Sequence, residues 1–408
     1  MTQYLSPGVY VVEVPSAVKP IAGVGTSTAG FIGQVADSVQ MPLLPGKDSD
    51  RYPIAPEKEA QLITSWTAFK NTFGDFQDGN KVLAHAVYGF FNNGGTRCWV
   101  TRINPSPAPS AETGDGAKKG KAAAAATGSG IDAAGVDIAL AGFAAIDEIA
   151  LVAIPGETAQ AVQDKVVTHC ENLKDRFAIL DGQHTTTLTR QAIVGSLGNN
   201  DYAALYFPWI SVYDPASNAN LIVPPSGHLA GIYARVDGER GVHKAPANEV
   251  IRGALDVEKA LSKADQDGLN PTGVNILRVF DGNITVWGAR TLGGDVNMEW
   301  KYINVRRLFL FLRKSIEKGT QWVVFEPNDM ALWAKITRNI TAFLTNVWRS
   351  GALFGSTPQE AFYVKCDAET NPADVRDLGQ VVTEIGVAVV KPAEFVVFRI
   401  SQWAGPGE

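Results

Sequence analysis

The stretch that decides the fold spans residues 296–403 and reads VNMEWKYINVRRLFLFLRKSIEKGTQWVVFEPNDMALWAKITRNITAFLTNVWRSGALFGSTPQEAFYVKCDAETNPADVRDLGQVVTEIGVAVVKPAEFVVFRISQW. Long runs with helical spacing alternate in it with short β-rich runs, which predicts a compact α/β domain. The second helical run is the clearest, because its apolar residues fall on one face. They are Trp333, Ile336, Ile340, Phe343 and Val347. Asn328 is expected to cap this helix, and Gly351 is expected to end it.

The opposite side of this helix carries a basic stripe formed by Lys335, Arg338 and Arg349, with Ala342 and Thr345 between them. No acidic residue interrupts the stripe. A helix face of this kind is most often simply solvated, while the functional alternative is a docking surface for an acidic partner. The residues alone leave both interpretations open.

Several blocks of the chain, in this order, resemble the contractile tail sheath family. They are YLSPGVYVVEV (4–14), VPPSGHLAGIYARVDGERGVHKAPAN (223–248), VNILRVFDGNITVWGARTL (274–292), YINVRRLF (302–309), QWVVFEPND (321–329), GALFGSTPQEAF (351–362) and PAEFVVFRISQ (392–402). Members of that family are the sheath subunits of contractile phage tails, of R-type tailocins and of extracellular contractile injection systems. Residues 104–134 match no block of the family.

The resemblance implies a multi-domain α/β (α+β) subunit of the sheath type. Its expected parts are an N-terminal arm (1–22), an outer α/β domain (23–280) interrupted by the excursion at 104–134, an inner, tube-facing domain (281–393) and a C-terminal arm (394–408). The implied function is structural: subunits polymerise helically around an inner tube and contract to drive that tube through a target cell envelope. The implied partners are further copies of the chain, the inner tube protein, the baseplate and the cap or terminator proteins, with no cofactor and no catalysis.

The resemblance also assigns roles to particular residues. Both termini are β-rich, and in sheath proteins such arms add a strand to the sheet of a neighbouring subunit. The arm residues expected to do so are Val9, Tyr10, Val11, Val12, Phe395, Val396, Val397 and Phe398. Lys335, Arg338 and Arg349 are the residues expected to face the inner tube.

Composition sets outer limits on these expectations. The chain has 408 residues, of which 45% are apolar and 19% charged, enough for a large core and two or three domains. A net charge of −6 argues against nucleic acid as the main partner. Cys98, Cys170 and Cys366 are far apart in sequence and indicate neither a disulfide framework nor a zinc site. No leader or membrane-spanning run is recognisable, so we expect synthesis in the cytoplasm without membrane insertion. The resemblance implies that the producing cell is bacterial and that the chain is assembled into a phage tail or phage tail-like particle, which is then released.

The middle of the chain predicts a parallel sheet. A strand at 149–154, a helix at 158–173 and a strand at 177–180 form a βαβ pattern, and a single third strand is expected at 203–212. Helices are expected at 57–73 and 81–91 and a hairpin around Asp281-Gly282. The glycine-rich and polar segment 223–248 predicts loops around a short helix, with charges that pair internally.

Two other function classes remain open from the residues alone. Asp181 and His184 lie just beyond the carboxyl end of a predicted strand, where α/β enzymes place their chemistry, so an α/β enzyme is one alternative. No nucleophile motif, phosphate loop or metal-ligand spacing accompanies them. A non-contractile shell protein is the other alternative, and it would form closed assemblies in place of a helical tube.

Overall fold

The computed structural model describes residues 20–105 and 130–399. Val9–Val12 and the centre of the excursion at 104–134 therefore lie outside the described residues. The contacts divide the chain into two units, the larger formed by residues 24–314 with those from 389 onward, and the smaller by 315–388 with residues up to 23. Each unit is considered by itself.

The strands are β1 Ala29–Gln34, β2 Ala60–Ile63, β3 Cys98–Ile103, β4 Leu151–Ala153, β5 Phe177–Asp181, β6 Ala203–Phe207, β7 Ile210–Asp214, β8 Ala219–Val223, β9 Glu249–Val250, β10 Ala254–Val257, β11 Val274–Phe280, β12 Asn283–Val286, β13 Phe362–Lys365 and β14 Glu384–Val387. The helices are α1 Trp66–Phe73, α2 Lys81–Asn92, α3 Ala133–Ala144, α4 Gln160–Leu173, α5 Arg190–Val194, α6 Ser226–Glu239, α7 Lys263–Leu269, α8 Ile303–Thr320, α9 Met330–Arg349, α10 Pro358–Ala361 and α11 Ala373–Asp377. Helix α8 begins in the larger unit and ends in the smaller one.

The larger unit is organised on a nine-stranded sheet in the order β2-β3-β1-β4-β5-β6-β11-β12-β9. Its middle is parallel, with β3, β1, β4, β5, β6 and β11 running in one direction. The predicted βαβ unit is confirmed, because β4 and β5 pair in parallel and α4 connects them. Antiparallel strands close the two sides, β2 on one and β12 with β9 on the other.

Both faces of this sheet are buried. Successive side chains of a strand point to opposite faces, so Phe177 and Ile179 join one apolar cluster while Ala178 and Leu180 join the other. Helices α1, α2 and α6 contribute to the first cluster, and α3, α4 and α5 to the second. This explains why the central strands read as continuous apolar runs, which is typical of parallel sheets covered on both sides.

The helix expected at 57–73 is only partly formed, and that prediction was wrong at its start. Residues 60–63 are strand β2, paired antiparallel with β3. Helix α1 begins at Trp66, because the Ser65 side chain accepts the amide hydrogen of Ala68 at 3.1 Å and caps it. Residues 60–63 therefore form a strand at the edge of the sheet, although their apolar spacing also fits a helix.

The single strand expected at 203–212 is in fact two strands in two sheets, a second correction. Strand β6 ends at Phe207 in the large sheet, and β7 begins at Ile210 in a separate three-stranded sheet of order β10-β7-β8. Pro208 stands at the break and has no N–H to donate, so the hydrogen-bond ladder cannot run through it.

Segment 223–248 was predicted as loops around a short helix, and here too the structure differs. Most of it is α6, a 14-residue helix that is buried over nearly all its length and packs on α2. A Cβ atom on Gly227 would lie 2.4 Å from backbone atoms of Ala86, and one on Gly231 would lie 2.4 Å from the carbonyl oxygen of Phe90. The lack of a side chain at these two glycines therefore allows α2 and α6 to pack closely together. The glycines do not form turns.

The hairpin expected around Asp281-Gly282 is confirmed. Strands β11 and β12 pair antiparallel from Phe280 with Asn283 to Leu277 with Val286. Asp281 and Gly282 have φ of 48° and 77°, which is the pattern of a two-residue turn with both central residues in the left-handed region.

The smaller unit contains the last six residues of α8, helices α9, α10 and α11, and a two-stranded antiparallel sheet of β13 and β14. Ile21 packs against Gly319 of α8 and fixes the start of the described chain there. The contacts assign residues 281–314 to the larger unit. The boundary predicted after residue 280 concerns the inner and outer layers of a polymer, and it stays a prediction.

Candidate assembly surfaces

Helix α9 has the predicted buried face. Its five apolar residues at helical spacing, from Trp333 to Val347, are all buried. The cap differs from the prediction: the Asp329 carboxylate accepts the amide hydrogen of Leu332 at 2.8 Å, whereas Asn328 accepts the indole N–H of Trp333, also at 2.8 Å. Asn328 thus anchors the first core side chain of the helix, and its neighbour provides the cap.

The basic stripe of α9 lies on the exposed side of this helix. Lys335, Arg338 and Arg349 are all exposed, as is Ala342 between them. Within the described residues, none of the three cations forms an ion pair. The stripe can therefore offer its full charge to an external partner.

The C-terminal run is the most exposed apolar segment at the end of the described chain. Phe395, Val396, Val397 and Phe398 are 70%, 68%, 78% and 84% exposed. Over the part of the chain that the structure describes, these residues belong to no strand. Four consecutive β-forming residues therefore have their backbone groups and side chains available to another molecule.

Glu394, the residue before this run, is held by side chains of the larger unit. Its Oε1 accepts hydrogen bonds from Arg290 Nε and Asn270 Nδ2, each at 2.8 Å. Its Oε2 accepts from Tyr302 Oη at 2.9 Å and from Arg290 Nη2 at 3.0 Å, and Lys301 Nζ lies 3.9 Å away. We call this set of four donors around the carboxylate the Glu394 clamp.

The clamp favours the ionised carboxylate. Burial by itself raises the pKa of Glu394, but the hydrogen bonds from Arg290, Asn270 and Tyr302 outweigh it and hold the pKa below its ordinary value. A bidentate guanidinium also fixes the orientation of a carboxylate. Glu394 is thus a firmly positioned residue directly beside an unpaired run.

The sheet of β13 and β14 offers open edges. Each strand has the other as its only strand partner among the described residues, with Phe362 opposite Val387 and Lys365 opposite Glu384. A two-stranded sheet is marginal on its own, and unpaired edges are templates for a further strand.

A second buried network ties down the chain near residue 26. Arg307 Nη1 and Nη2 donate to the two carboxylate oxygens of Asp237 at 2.9 and 2.6 Å, and both side chains are almost fully buried. Thr26 Oγ1 donates to the same carboxylate at 2.6 Å, while its carbonyl accepts from Arg307 Nη2 at 3.0 Å. The first residues of the larger unit are therefore fixed to α6 and α8.

Other charges of segment 223–248 find partners mostly outside it. Arg235 contacts Glu249 at 3.4 Å and donates to the carbonyls of Asn93 and Val250, and Lys244 lies 3.4 Å from Glu249. The expected pairing of charges within the segment was thus wrong, because α6 is packed among other elements.

Asp181 and His184 have different partners and do not form a joint site. The Asp181 carboxylate is buried and accepts hydrogen bonds from Ser226 N at 2.9 Å, Ser226 Oγ at 2.7 Å and Gly156 N at 3.0 Å. Burial outweighs these bonds and raises the pKa of Asp181 to about 6. His184 Nε2 lies 2.5 Å from a carboxylate oxygen of Glu258, and its ring meets Trp209 edge to face. Asp181 holds the start of α6, which is a structural role.

Across residues 20–105 and 130–399, no cluster of three or more His, Cys, Asp or Glu side chains has the arrangement of a metal site. The helices of this same part of the chain are all too short or too polar to cross a bilayer.

Sequence reasoning missed the Glu394 clamp. From the sequence, Glu394 is only the first residue of the C-terminal arm, and Arg290 and Tyr302 lie in the blocks that resemble the sheath family. The signal available was an ionisable residue placed directly before four apolar ones. Its partners could not be inferred, because Asn270 and Arg290 are 124 and 104 positions away in the chain.

Family models and curated relatives agree on one family. The model of the phage tail sheath protein central domain matches residues 124–292, and that of the phage tail sheath C-terminal domain matches residues 295–402. The first match begins inside the segment 104–134, so the expectation that this whole segment lacks a match to the family was wrong for residues 124–134. A putative prophage major tail sheath protein of Pseudomonas aeruginosa (strain UCBPP-PA14) is 27% identical over 62% of this chain and 65% of its own length. The tail sheath protein of Vibrio phage KVP40 is 30% identical over 51% of this chain, but over only 31% of its own length. The chain thus spans less than two thirds of these curated relatives.

Solved structures match along nearly the whole chain. The PVC sheath complex of an extracellular contractile injection system, in the contracted state, has a TM-score of 0.75 and 28% identity, with 99% of each chain covered. The helical sheath of the anti-feeding prophage, also contracted, has a TM-score of 0.72 and 28% identity, covering 97% of this chain and 99% of the other. Together with the two domain models, which cover more than half of the residues, these likenesses establish that the chain belongs to the contractile tail sheath family.

Proposed function

We propose that this protein is the structural subunit of a contractile sheath, which polymerises helically around an inner tube and contracts to drive that tube through a target cell envelope. The observation that carries the proposal is the apolar run Phe395–Phe398, which is exposed and belongs to no strand within the described residues, beside a firmly held Glu394. Likeness over nearly full length to subunits of contracted sheath complexes supports the same function.

Subunits are linked by donated strands in this proposal. The run Phe395–Phe398, together with the N-terminal residues Val9–Val12, adds strands to the sheet of β13 and β14 in neighbouring copies. The open edges of that two-stranded sheet support this assignment. Such contacts join unlike surfaces on successive copies, so they extend into a helical polymer and do not close.

The stripe of Lys335, Arg338 and Arg349 faces the inner tube. Its three cations are exposed, and isolated exposed charges of this kind are each worth about 0–1 kcal/mol and are screened by salt. Contacts of this strength hold the tube in register yet release it when the sheath contracts. Three cations on a chain of net charge −6 do not suit nucleic acid.

The proposed contacts with the inner tube and with neighbouring copies divide the chain into an inner part, an outer part and two linking arms. Residues 281–393 form the inner, tube-facing part, and residues 23–280, with the excursion at 104–134, form the outer part. The terminal segments 1–22 and 394–408 are the linking arms.

Contraction requires no nucleotide or cofactor in this mechanism. Each subunit passes from an extended arrangement to one of lower free energy as its interfaces repack, and a few kcal/mol per subunit add up along the polymer. Donated strands keep their main-chain hydrogen bonds while weaker body contacts exchange. The role is structural, and catalysis plays no part in it.

The remaining partners in this proposal are the other proteins of a tail-like particle, namely the baseplate and the cap or terminator. The baseplate starts the sheath and triggers its contraction, and a cap or terminator ends it. Assembly takes place inside the producing bacterial cell, and the completed phage tail or tail-like particle is then released.

Electron microscopy of the purified chain tests the proposal. Without the inner tube, the chain should form wide, hollow, helical tubes, because the linking arms are present on every copy. Monodisperse small particles or closed shells at all concentrations would contradict the proposal, and closed shells would favour a non-contractile shell protein.

The tube contact has a separate test. Arg338→Glu should reduce binding of assembled sheath to purified inner tube and make the remaining binding less sensitive to salt, since one attractive contact becomes repulsive. Lys263→Glu, at an exposed cation of α7, is the matched control and should leave tube binding unchanged. Equal binding by the two variants would refute the assignment of the stripe.

A further inference from the structure

The C-terminal run has a pattern that leaves its pairing register open. Phe395, Val396, Val397 and Phe398 are all apolar, so an extended strand built from them carries apolar side chains on both faces. Register is ordinarily set by which face is apolar, since a slip of one residue turns every side chain to the other face. Here such a slip exchanges one apolar face for another, so the side chains specify the register only weakly.

The Glu394 clamp lies directly at the start of this run. Both carboxylate oxygens are occupied, each by two donors, and Arg290 engages them with two parallel N–H groups. Exposure changes abruptly at this point, because the Glu394 side chain is 18% exposed and Phe395 is 70% exposed. Among the described residues, Glu394 is therefore the last whose side chain is held by hydrogen bonds within the chain.

The base of the clamp is itself rigid. The Arg290 side chain is buried, donates to the carbonyl of Asn270 at 3.1 Å and is ion-paired with Asp295 at 3.0 Å. The backbone N–H of Arg290 donates to the Asn275 side chain at 2.7 Å, which ties it to strand β11 of the large sheet. Because this base is rigid, movement of Glu394 along the chain direction would break its four hydrogen bonds to Arg290, Asn270 and Tyr302 at once.

We propose that the Glu394 clamp sets the register in which the run Phe395–Phe398 pairs with a second copy of this chain. The proposal rests on the strand donation described under the proposed function. A strand advances about 3.3 Å per residue, so an anchor at residue 394 determines which residue of the run lies opposite which residue of the acceptor. Glu394 is in this sense a positioning residue for assembly.

Cysteine cross-linking between copies measures the register directly. Val397→Cys is combined in turn with a cysteine at each position of β13 and β14, in a background where Cys366 is replaced by serine. Cys98 and Cys170 are buried and can stay. In assembled tubes, we expect a ladder of disulfide-linked oligomers that is concentrated at one acceptor position.

Insertion of one glycine between Glu394 and Phe395 gives the sharpest result. The clamp and the composition of the run are both kept, so the chain should fold and assemble. If the clamp sets the register, the preferred acceptor position shifts by one residue. An unchanged acceptor position would overturn the proposal, because the run would then find its register through its own side chains while the inserted residue bulges out.

Loss of the clamp gives the complementary result. Glu394→Ala should spread the cross-links over neighbouring acceptor positions, whereas Lys391→Ala, at an exposed residue just before the clamp, should keep them concentrated. Concentrated cross-links in Glu394→Ala would also overturn the proposal. If that variant fails to assemble, the glycine insertion decides. Absence of any ladder in the parent tubes at all acceptor positions would instead reject the strand donation itself.

Discussion

Asp237 and Arg307 are the clearest case in which one residue determines stability. Their ion pair is buried, so removal of one partner leaves an uncompensated charge away from water. Asp237→Asn should lower the free energy of unfolding by about 3–5 kcal/mol. The control is Asp50→Asn, because the ion pair of Asp50 with Lys47 is largely exposed, and it should lower the free energy of unfolding by only about 0–1 kcal/mol. Urea denaturation of both variants measures the contrast, and similar losses would show that the buried pair has no special role.

Glu394 should make a contribution to stability that depends on pH. Its pKa in the folded chain is held below the ordinary value of 4.5, so its stabilising effect is complete above that value and is lost as pH falls through the lowered pKa. The loss of stability caused by Glu394→Gln should therefore be largest near neutral pH and shrink in acid. Denaturation curves at several pH values test this. Glu299→Gln, at an exposed carboxylate, is the control. If the loss of stability caused by Glu394→Gln were larger in acid than at neutral pH, the expected direction of the pH dependence would be contradicted.

At the scale of elements, the contact between α2 and α6 permits a matched pair of substitutions. Gly227→Ala brings a methyl group within 2.4 Å of backbone atoms of Ala86, which cannot yield as a side chain can. Such overpacking should lower the stability of the folded chain by about 1–3 kcal/mol. Gly238→Ala lies in the same helix with open space around it and should be neutral or stabilising by about 0.5–1 kcal/mol. Thermal unfolding of both variants measures the difference, and equal effects would mean that the helices can move apart freely.

The sequence predicts well those elements whose apolar spacing repeats over a short stretch of the chain. The apolar face of α9 and the β4-α4-β5 unit follow from spacing within a few turns, and the exposed stripe on α9 follows from the same spacing. The length and burial of helix α6, expected only as a short helix among loops, were not predicted because its buried polar residues look like surface residues. Ser226 and Arg235 find their partners at Asp181 and Glu249, and only the folded chain brings these together. The Glu394 clamp escaped prediction for the same reason.

At the scale of the whole molecule, folding and assembly should be separable. Truncation after Glu394 removes a run whose described residues are exposed, so the free energy of unfolding should change by no more than about 0.5 kcal/mol. If the arms link subunits as proposed, the same truncation should abolish polymerisation, because one of the two proposed linking strands is lost. Sedimentation velocity and electron microscopy measure assembly, and calorimetry measures stability. Tubes formed by the truncated chain would show that this strand is dispensable.

The position of Glu394 in the chain also has a consequence for the order of events during synthesis. Its partners Asn270, Arg290 and Tyr302 leave the ribosome before the smaller unit at 315–388, whereas Glu394 follows it. Domains fold largely as they emerge, at about 5–20 residues per second. The last bonds of the larger unit therefore close only after the smaller unit has been made. Under the proposed strand donation, a nascent subunit therefore holds its C-terminal run in position only after residues 315–388 have been made.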